Sequence, residues 1–131
     1  MSGHRPRRRF AQHFLVDRGA IGSIVDLVHP AEGEIVVEIG PGKGALTDAL
    51  VARLQRLVAV EIDRDLAAML RERHGAEGLH LIEGDALEVD LGQVLRDEGG
   101  KRLLVVGIHQ EWFQNPGLLT DLRDRIALGR R

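Results

Sequence analysis

The sequence predicts an α/β fold in which helices cover a mostly parallel sheet. Short β-branched runs alternate with segments of helical periodicity, and a glycine-rich loop directly follows the first of these runs. Aromatic residues are scarce, with three Phe, one Trp and no Tyr, so the core must be aliphatic. The chain of 131 residues is long enough for one such domain.

The predicted elements alternate between helix and strand along the chain. Asp17 is a candidate N-cap for a first helix that ends before Pro30, because the residue preceding a proline is pushed out of the α region. Four short apolar runs predict strands at residues 35–39, 57–61, 79–82 and 103–106. The segments between them predict helices at residues 45–54, 64–73 and, with a weaker pattern, 92–97. This order implies parallel strands joined by right-handed crossovers.

Composition divides the chain into three segments. Residues 1–16 form a basic arm, residues 17–107 carry the α/β pattern, and residues 108–131 form a divergent tail with spacing for one helix. The net charge is −2, yet the first ten residues hold no acid and four arginines: Arg5, Arg7, Arg8 and Arg9. From charge alone, the arm is equally well interpreted as a polyanion-binding tail or as a solvated terminus.

Composition also excludes several classes of protein. The chain has no cysteine, which excludes a disulfide scaffold and a thiolate metal site. No apolar run approaches the roughly 20 residues that span a bilayer. The basic N-terminus is not followed by the apolar stretch of a secretory signal. We therefore expect a cytoplasmic protein without a membrane segment or a metal.

The glycine loop over residues 38–44 is the first part of a candidate cofactor site. It follows a predicted strand, and open parallel sheets bind ligands at the carboxyl ends of their strands. Gly40 and Gly42 would let backbone approach a cofactor without a Cβ in the way, and Gly44 would permit close packing at the start of the next helix. Taken alone, such a loop is often only a tight turn.

Two acids complete the candidate site. Glu61 ends the second predicted strand, 21 residues after Gly40, where a carboxylate suits the hydroxyls of a ribose. Asp85 ends the third predicted strand, where a carboxylate can accept a hydrogen bond from the exocyclic amine of adenine. Either acid alone is more often a cap or a solvated group. The three features together, in register with the strands, favour a nucleotide cofactor.

The spacing of the glycines distinguishes two cofactors. The dinucleotide fingerprint is G-x-G-x-x-G, whereas this loop reads E-x-G-x-G-x-G. That form resembles the first motif of class I methyltransferases that use S-adenosylmethionine. The spacing therefore favours a methyl donor, and NAD remains the alternative.

Four motifs in order give a more specific resemblance, which covers about residues 8–107. They are similar to those of the KsgA-type ribosomal small-subunit RNA adenine N6,N6-dimethyltransferase family. The four segments are Gln12-His13-Phe14-Leu15, Glu38-Ile39-Gly40-Pro41-Gly42-Lys43-Gly44-Ala45-Leu46-Thr47, Val60-Glu61-Ile62-Asp63 and Gly84-Asp85-Ala86-Leu87.

The resemblance implies a Rossmann-like class I methyltransferase fold and the transfer of methyl groups from S-adenosylmethionine to N6 of adenines in small-subunit ribosomal RNA. It implies that His13 and Leu15 close over the cofactor. It also implies that Gly40 contacts the amino-acid end, Glu61 the ribose and Asp85 the adenine. The basic arm would then face RNA, such as a small ribosomal precursor particle.

The resemblance ends where the catalytic motif is expected. The family continues from its fourth strand into N-L/I-P-Y/F, whose asparagine positions the target amine and whose aromatic residue stacks on the flipped base. Here Ile108 occupies the asparagine position and cannot accept a hydrogen bond. We therefore expect no catalytic residue in this chain, a sheet truncated after about four strands and no C-terminal helical domain. The alternative to an active enzyme is a remnant that at most binds the cofactor.

Overall fold

The structure, a computed structural model, describes residues 18–107. Within this range, four helices alternate with four strands. The helices are α1 (Arg18–Leu27), α2 (Ala45–Arg53), α3 (Arg64–His74) and α4 (Leu91–Asp97). The strands are β1 (Glu34–Ile39), β2 (Leu57–Glu61), β3 (Leu79–Glu83) and β4 (Arg102–Val106).

The described strands form one parallel sheet in the order β3-β2-β1-β4. The chain first extends the sheet from β1 through β2 to β3, and it then returns to place β4 on the other side of β1. The register pairs Ile39 with Val60 and Glu38 with Val106. The order of the strands therefore reverses beside β1, and ligands bind at such switch points in open α/β sheets.

Side chains alternate across the sheet and supply two apolar layers. One layer joins Val36, Leu57 and Ala59 to buried residues of α2 and α3, and α1 packs against it through partly buried side chains. The opposite layer joins Val37, Val58 and Val60 to α4. The predicted aliphatic core is thus confirmed on both faces of the described sheet.

The structure confirms the predicted fold class and corrects the ends of some elements. Helix α2 ends at Arg53 rather than at residue 54, and α4 begins at Leu91 because the Asp90 carboxylate accepts a hydrogen bond from the Gln93 amide at 2.9 Å. Strand β3 ends at Glu83, so Asp85 lies in the turn beyond the strand instead of ending it. The predicted cap Asp17 and the predicted helix in the tail lie outside the described residues.

No helix among residues 18–107 is long and apolar enough to cross a bilayer.

Candidate cofactor site

Backbone hydrogen bonds bring the predicted site residues to one edge of the sheet. The Gly40 amide donates to the Val60 carbonyl at 2.9 Å, which places the glycine loop beside the end of β2. The Gly84 amide donates to the Glu61 carbonyl at the same distance, which places the turn containing Asp85 on the other side of β2. Gly40, Glu61 and Asp85 therefore lie on three neighbouring chain segments at the carboxyl edge of the sheet.

The glycine loop supplies space rather than free hydrogen-bond donors. Gly40, Gly42 and Gly44 all have positive φ angles, 67°, 60° and 90°, which favour glycine. A Cβ at Gly42 would meet no atom within 4 Å, so this position faces open space. The amides of Gly40, Gly42 and Gly44 already donate to Val60, Glu61 and Pro41. The loop can thus admit a ligand close to its backbone.

The Glu61 carboxylate holds two chain segments, the glycine loop and the turn that follows β2. Its Oε1 accepts from the Gly42 amide at 2.8 Å, and its Oε2 accepts from the Asp63 amide at 2.9 Å. The side chain is buried, with 5% of the residue exposed. A carboxylate has about four acceptor positions, so each oxygen can accept one more hydrogen bond. Two adjacent hydroxyls of a ribose match the acceptors that remain.

The two carboxylate oxygens of Asp85 differ in their hydrogen bonds. Oδ1 accepts from the Leu87 amide at 2.9 Å and holds the turn after β3. Among residues 18–107, Oδ2 accepts no hydrogen bond, and the residue is only partly buried. This oxygen can accept from an exocyclic amine, as the sequence predicts.

Gly44 has the packing role that the sequence predicts. A Cβ at this residue would lie 2.5 Å from Cδ2 of Leu70 and 3.0 Å from Nη1 of Arg73. The Arg73 guanidinium donates to the Lys43 carbonyl at 3.1 Å and pairs with Asp48 at 3.0 Å. The end of α3 therefore packs directly against the glycine loop.

Two residues of the site were not predicted from the sequence. Glu38 is 2% exposed, and it accepts a hydrogen bond from the Thr47 hydroxyl at 2.6 Å. Burial raises the pKa of Glu38 to about 8; the Thr47 hydrogen bond lowers it, and the nearby acids Glu61 and Asp48 raise it. The sequence feature that could have identified Glu38 is the presence of an acid within the apolar run that predicts β1.

Ile62 is the second residue that was missed. It follows Glu61 beyond the end of β2, and 64% of it is exposed. An exposed aliphatic side chain beside a polar ligand site can contact the face of a purine ring, which would remove apolar area from water. The sequence feature that could have identified Ile62 is an apolar residue directly after the predicted end of a strand.

The remaining predicted site residues lie outside the described range. These are the closing residues His13 and Leu15, the arm residues Arg5, Arg7, Arg8 and Arg9, and the replaced catalytic position Ile108. In residues 18–107, no cluster of three or more His, Asp or Glu side chains could hold a metal ion.

Two curated relatives are similar to a large part of this chain. The ribosomal RNA small subunit methyltransferase A of Aromatoleum aromaticum is 54% identical over 107 residues, 82% of this chain and 38% of the relative. The protein of the same name from Leptothrix cholodnii is 50% identical over 124 residues, 95% of this chain and 44% of the relative. The chain thus spans about two fifths of the length of these relatives.

The two alignments differ in length. The first covers 107 residues, whereas the second covers 124 of the 131 residues and therefore continues past Gly107.

The fold and the family model agree with these relatives. The crystal structure of the 23S rRNA methyltransferase ErmE aligns with a TM-score of 0.50 and 32% identity, and the alignment covers 56% of this chain and 31% of that chain. The family model described as ribosomal RNA adenine dimethylase matches residues 3–109, which include the whole of the described sheet and the site at its edge. The chain therefore belongs to the ribosomal RNA adenine dimethylase family.

Proposed function

We propose that this chain binds S-adenosylmethionine and forms the cofactor-binding part of an adenine N6-dimethyltransferase of small-subunit ribosomal RNA. The observation that carries the proposal is the hydrogen bond between Gly42 and Glu61, which joins an open glycine loop to a carboxylate with unused acceptor positions. This unit lies at the switch point of a parallel sheet. The relatives named as ribosomal RNA small subunit methyltransferases support methyl transfer to that RNA.

Each site residue has a distinct part in holding the cofactor. Glu61 accepts the ribose hydroxyls, and Asp85 accepts the adenine amine through Oδ2. Ile62 covers one face of the adenine with its exposed aliphatic side chain. The open space above Gly42 and the adjacent Gly40 admit the amino-acid end. His13 and Leu15 are proposed to close over the bound molecule.

The chemistry that the cofactor supplies is a methyl group on a positively charged sulfur. The contribution of this chain is to hold that group at the edge of β1 and β2 and to fix its orientation. Because Glu38 pairs with Val106, β4 ends next to the loop. Gly107, which follows β4, therefore lies at the same edge of the sheet as the cofactor site.

The proposed partner is small-subunit ribosomal RNA or a precursor particle that contains it, in the cytoplasm. The printed names of the relatives state an RNA substrate, and the arginines of the arm can contact phosphates without reading a base. Arg5, Arg7, Arg8 and Arg9 are proposed to supply this contact.

A second candidate function is cofactor binding without methyl transfer. The observation that favours it is Ile108 at the position of the family asparagine, because an isoleucine side chain has no acceptor for the target amine. Methyl transfer from labelled cofactor to unmethylated small-subunit RNA separates the two functions. Incorporation by the purified chain would establish the active enzyme, and binding without incorporation would establish the second function.

Cofactor binding itself is tested by calorimetry on the full 131-residue chain. We expect micromolar affinity for S-adenosylmethionine and its loss in Glu61→Ala. NADH tests the alternative suggested by a glycine loop, and we expect it not to displace S-adenosylmethionine. If NADH competes or S-adenosylmethionine does not bind, the proposed cofactor is wrong.

A further inference from the structure

Glu38 is a buried acid that the proposed cofactor contacts leave unused. It is near the end of β1, where only 2% of it is exposed, and its hydrogen-bond partner Thr47 in α2 is fully buried. A buried polar pair must satisfy its own hydrogen bonds, since water cannot do so. The Thr47 hydroxyl donates to Oε1 of Glu38 at 2.6 Å, a short distance for this kind of bond.

This hydrogen bond spans the glycine loop. Glu38 is the first residue of the loop segment 38–44 and still belongs to β1, whereas Thr47 follows the segment in α2, so their contact joins the strand before the glycines to the helix after them. Two further contacts hold the loop from other elements, the Glu61 carboxylate on the Gly42 amide and the Arg73 guanidinium on the Lys43 carbonyl. The pair Glu38–Thr47 is the one that lies within the core.

The charged groups that act on Glu38 are acidic. Glu61 lies at the end of the neighbouring strand β2, and Asp48 follows Thr47 in α2. Asp48 is itself paired with Arg73 and His74, whereas the hydrogen-bond partner of Glu38 is a neutral hydroxyl. Burial without a cation favours the neutral acid, and the pKa of Glu38 is raised to about 8 accordingly.

We propose that the Glu38–Thr47 hydrogen bond is a clasp that holds the glycine loop in its cofactor-binding shape, with Glu38 as a positioning residue that acts in its neutral form. The inference rests on the proposed binding of S-adenosylmethionine. A neutral Glu38 places no second negative charge beside Glu61. Ionisation places a buried charge under the loop, and the Thr47 hydrogen bond offsets only part of that cost, so the ionised form favours an opened loop in which Glu38 reaches water.

The clasp predicts the direction of a pH dependence. Cofactor affinity falls as the pH rises through about 8, because the ionised form of Glu38 disfavours the binding shape. If Glu38 instead served as an anionic ligand of the cofactor, affinity would increase over the same range. The two roles therefore give opposite slopes.

The test combines calorimetry with amide hydrogen exchange on the full chain, and Thr47→Val and Thr47→Ser form the matched pair. Valine keeps the shape of threonine and lacks the donor, whereas serine keeps the donor. We expect Thr47→Val to bind S-adenosylmethionine about tenfold more weakly and Thr47→Ser to stay within about threefold of the parent chain. Glu38→Gln should stay within about threefold at pH 7 and lose the decline through pH 8, since a neutral amide keeps the acceptor. It also controls for titration of the cofactor's own amino group.

Exchange of the Gly42 amide, measured without cofactor, separates failure of the clasp from failure of the proposed function. We expect lower protection in Thr47→Val than in Thr47→Ser, and protection in the parent chain that falls as the pH rises through about 8 while that of Glu38→Gln does not. These exchange results would support the clasp even if no cofactor bound. Equal protection in the valine and serine variants, or affinity that rises with pH and collapses in Glu38→Gln, would overturn it. If a variant does not fold, the pH dependence of cofactor affinity and of Gly42 protection in the parent chain still tests the clasp.

Discussion

The carboxylate of Glu61 accepts a hydrogen bond from the Gly42 amide at 2.8 Å, across 19 residues of sequence. The residue proposed to bind ribose thus also fixes the loop that admits the rest of the cofactor. Its second oxygen accepts from Asp63, whose own carboxylate caps α3 through the amides of Asp65 and Leu66. One side chain therefore links the loop, the end of β2 and the start of α3.

Replacing Glu61 with glutamine should weaken both the loop and cofactor binding. The Gly42 and Asp63 amides donate to different oxygens of Glu61, and glutamine replaces one of these oxygens with an NH2 donor, so one of the two hydrogen bonds is lost. We expect affinity for S-adenosylmethionine to fall by about 10- to 100-fold, together with a lower melting temperature. Glu83→Gln is the matched control, because Glu83 ends the adjacent strand and is exposed. Equal behaviour of the two variants in calorimetry and thermal unfolding would contradict the prediction.

Alanine at Gly44 should destabilise the fold. The residue has a φ of 90°, and its new Cβ would lie 2.5 Å from the buried Leu70 side chain. The left-handed backbone and the overpacking together cost about 2 to 4 kcal/mol of unfolding free energy. Denaturant unfolding measures this loss.

Two other glycines serve as controls for Gly44. Gly22 lies within α1 and would meet nothing within 4 Å, so Gly22→Ala should stabilise the chain by about 0.5 to 1 kcal/mol. Gly42→Ala also meets no atom, yet its φ of 60° and its open position should cost about 1 kcal/mol and impair cofactor binding more than stability. A similar loss of stability in all three variants would show that packing against Leu70 is not the cause.

The stability of the chain should depend on pH through Glu38. Its folded-state pKa of about 8 lies above the ordinary value of 4.5, so the folded state binds the proton more tightly than the unfolded state. This contribution is complete below pH 4.5, declines as the pH rises, and is lost above about pH 8. The total change is on the order of 5 kcal/mol.

Glu38→Gln isolates this contribution from every other titrating group. We expect the variant to be more stable than the parent chain at pH 9, with a difference that shrinks steadily towards pH 5. Unfolding by denaturant at several pH values measures both chains. A difference that stays constant from pH 5 to pH 9 would show that Glu38 has an ordinary pKa in the folded chain.

The arginines of the arm should determine the salt dependence of RNA binding. If Arg5, Arg7, Arg8 and Arg9 contact phosphates, replacing all four with glutamine should reduce the slope of log affinity against log salt by about three. Replacement with lysine retains the charge and should leave the slope nearly unchanged. Filter binding with unmethylated small-subunit RNA over a range of salt concentrations measures it, and an unchanged slope in the glutamine variant would indicate a solvated tail.

The order and type of the described elements were predictable because local signals agreed with the tertiary environment. Strands β1 and β2 are β-branched or aliphatic runs that are largely buried between helices, as their lack of strict alternation indicated. The position of Asp85 was less predictable. Its run continued into Gly84, whereas β3 ends at Glu83 and the Asp85 carboxylate holds the following turn through the Leu87 amide.

Contacts between distant side chains could not be derived from the sequence. Spacing placed Glu61 near the loop, but it gave no sign that the carboxylate accepts from Gly42. The Arg73 contact with the Lys43 carbonyl joins residues 30 positions apart and depends on how α3 crosses the sheet. Glu38 was visible as an acid in an apolar run, yet its partner Thr47 was determined only by the packing of α2 on β1.

The reversal of strand order beside β1 separates two tasks in space. Every described residue proposed to hold the cofactor belongs to β1, β2, β3 or the turns that follow them, whereas β4 delivers the chain to the other flank of the same edge. Under the proposed function, the described contacts to the methyl donor are thus encoded by residues 40–85, and β4 lies outside them. Substitutions after Gly107 would leave these contacts unchanged, whatever their effect on the presentation of a nucleobase.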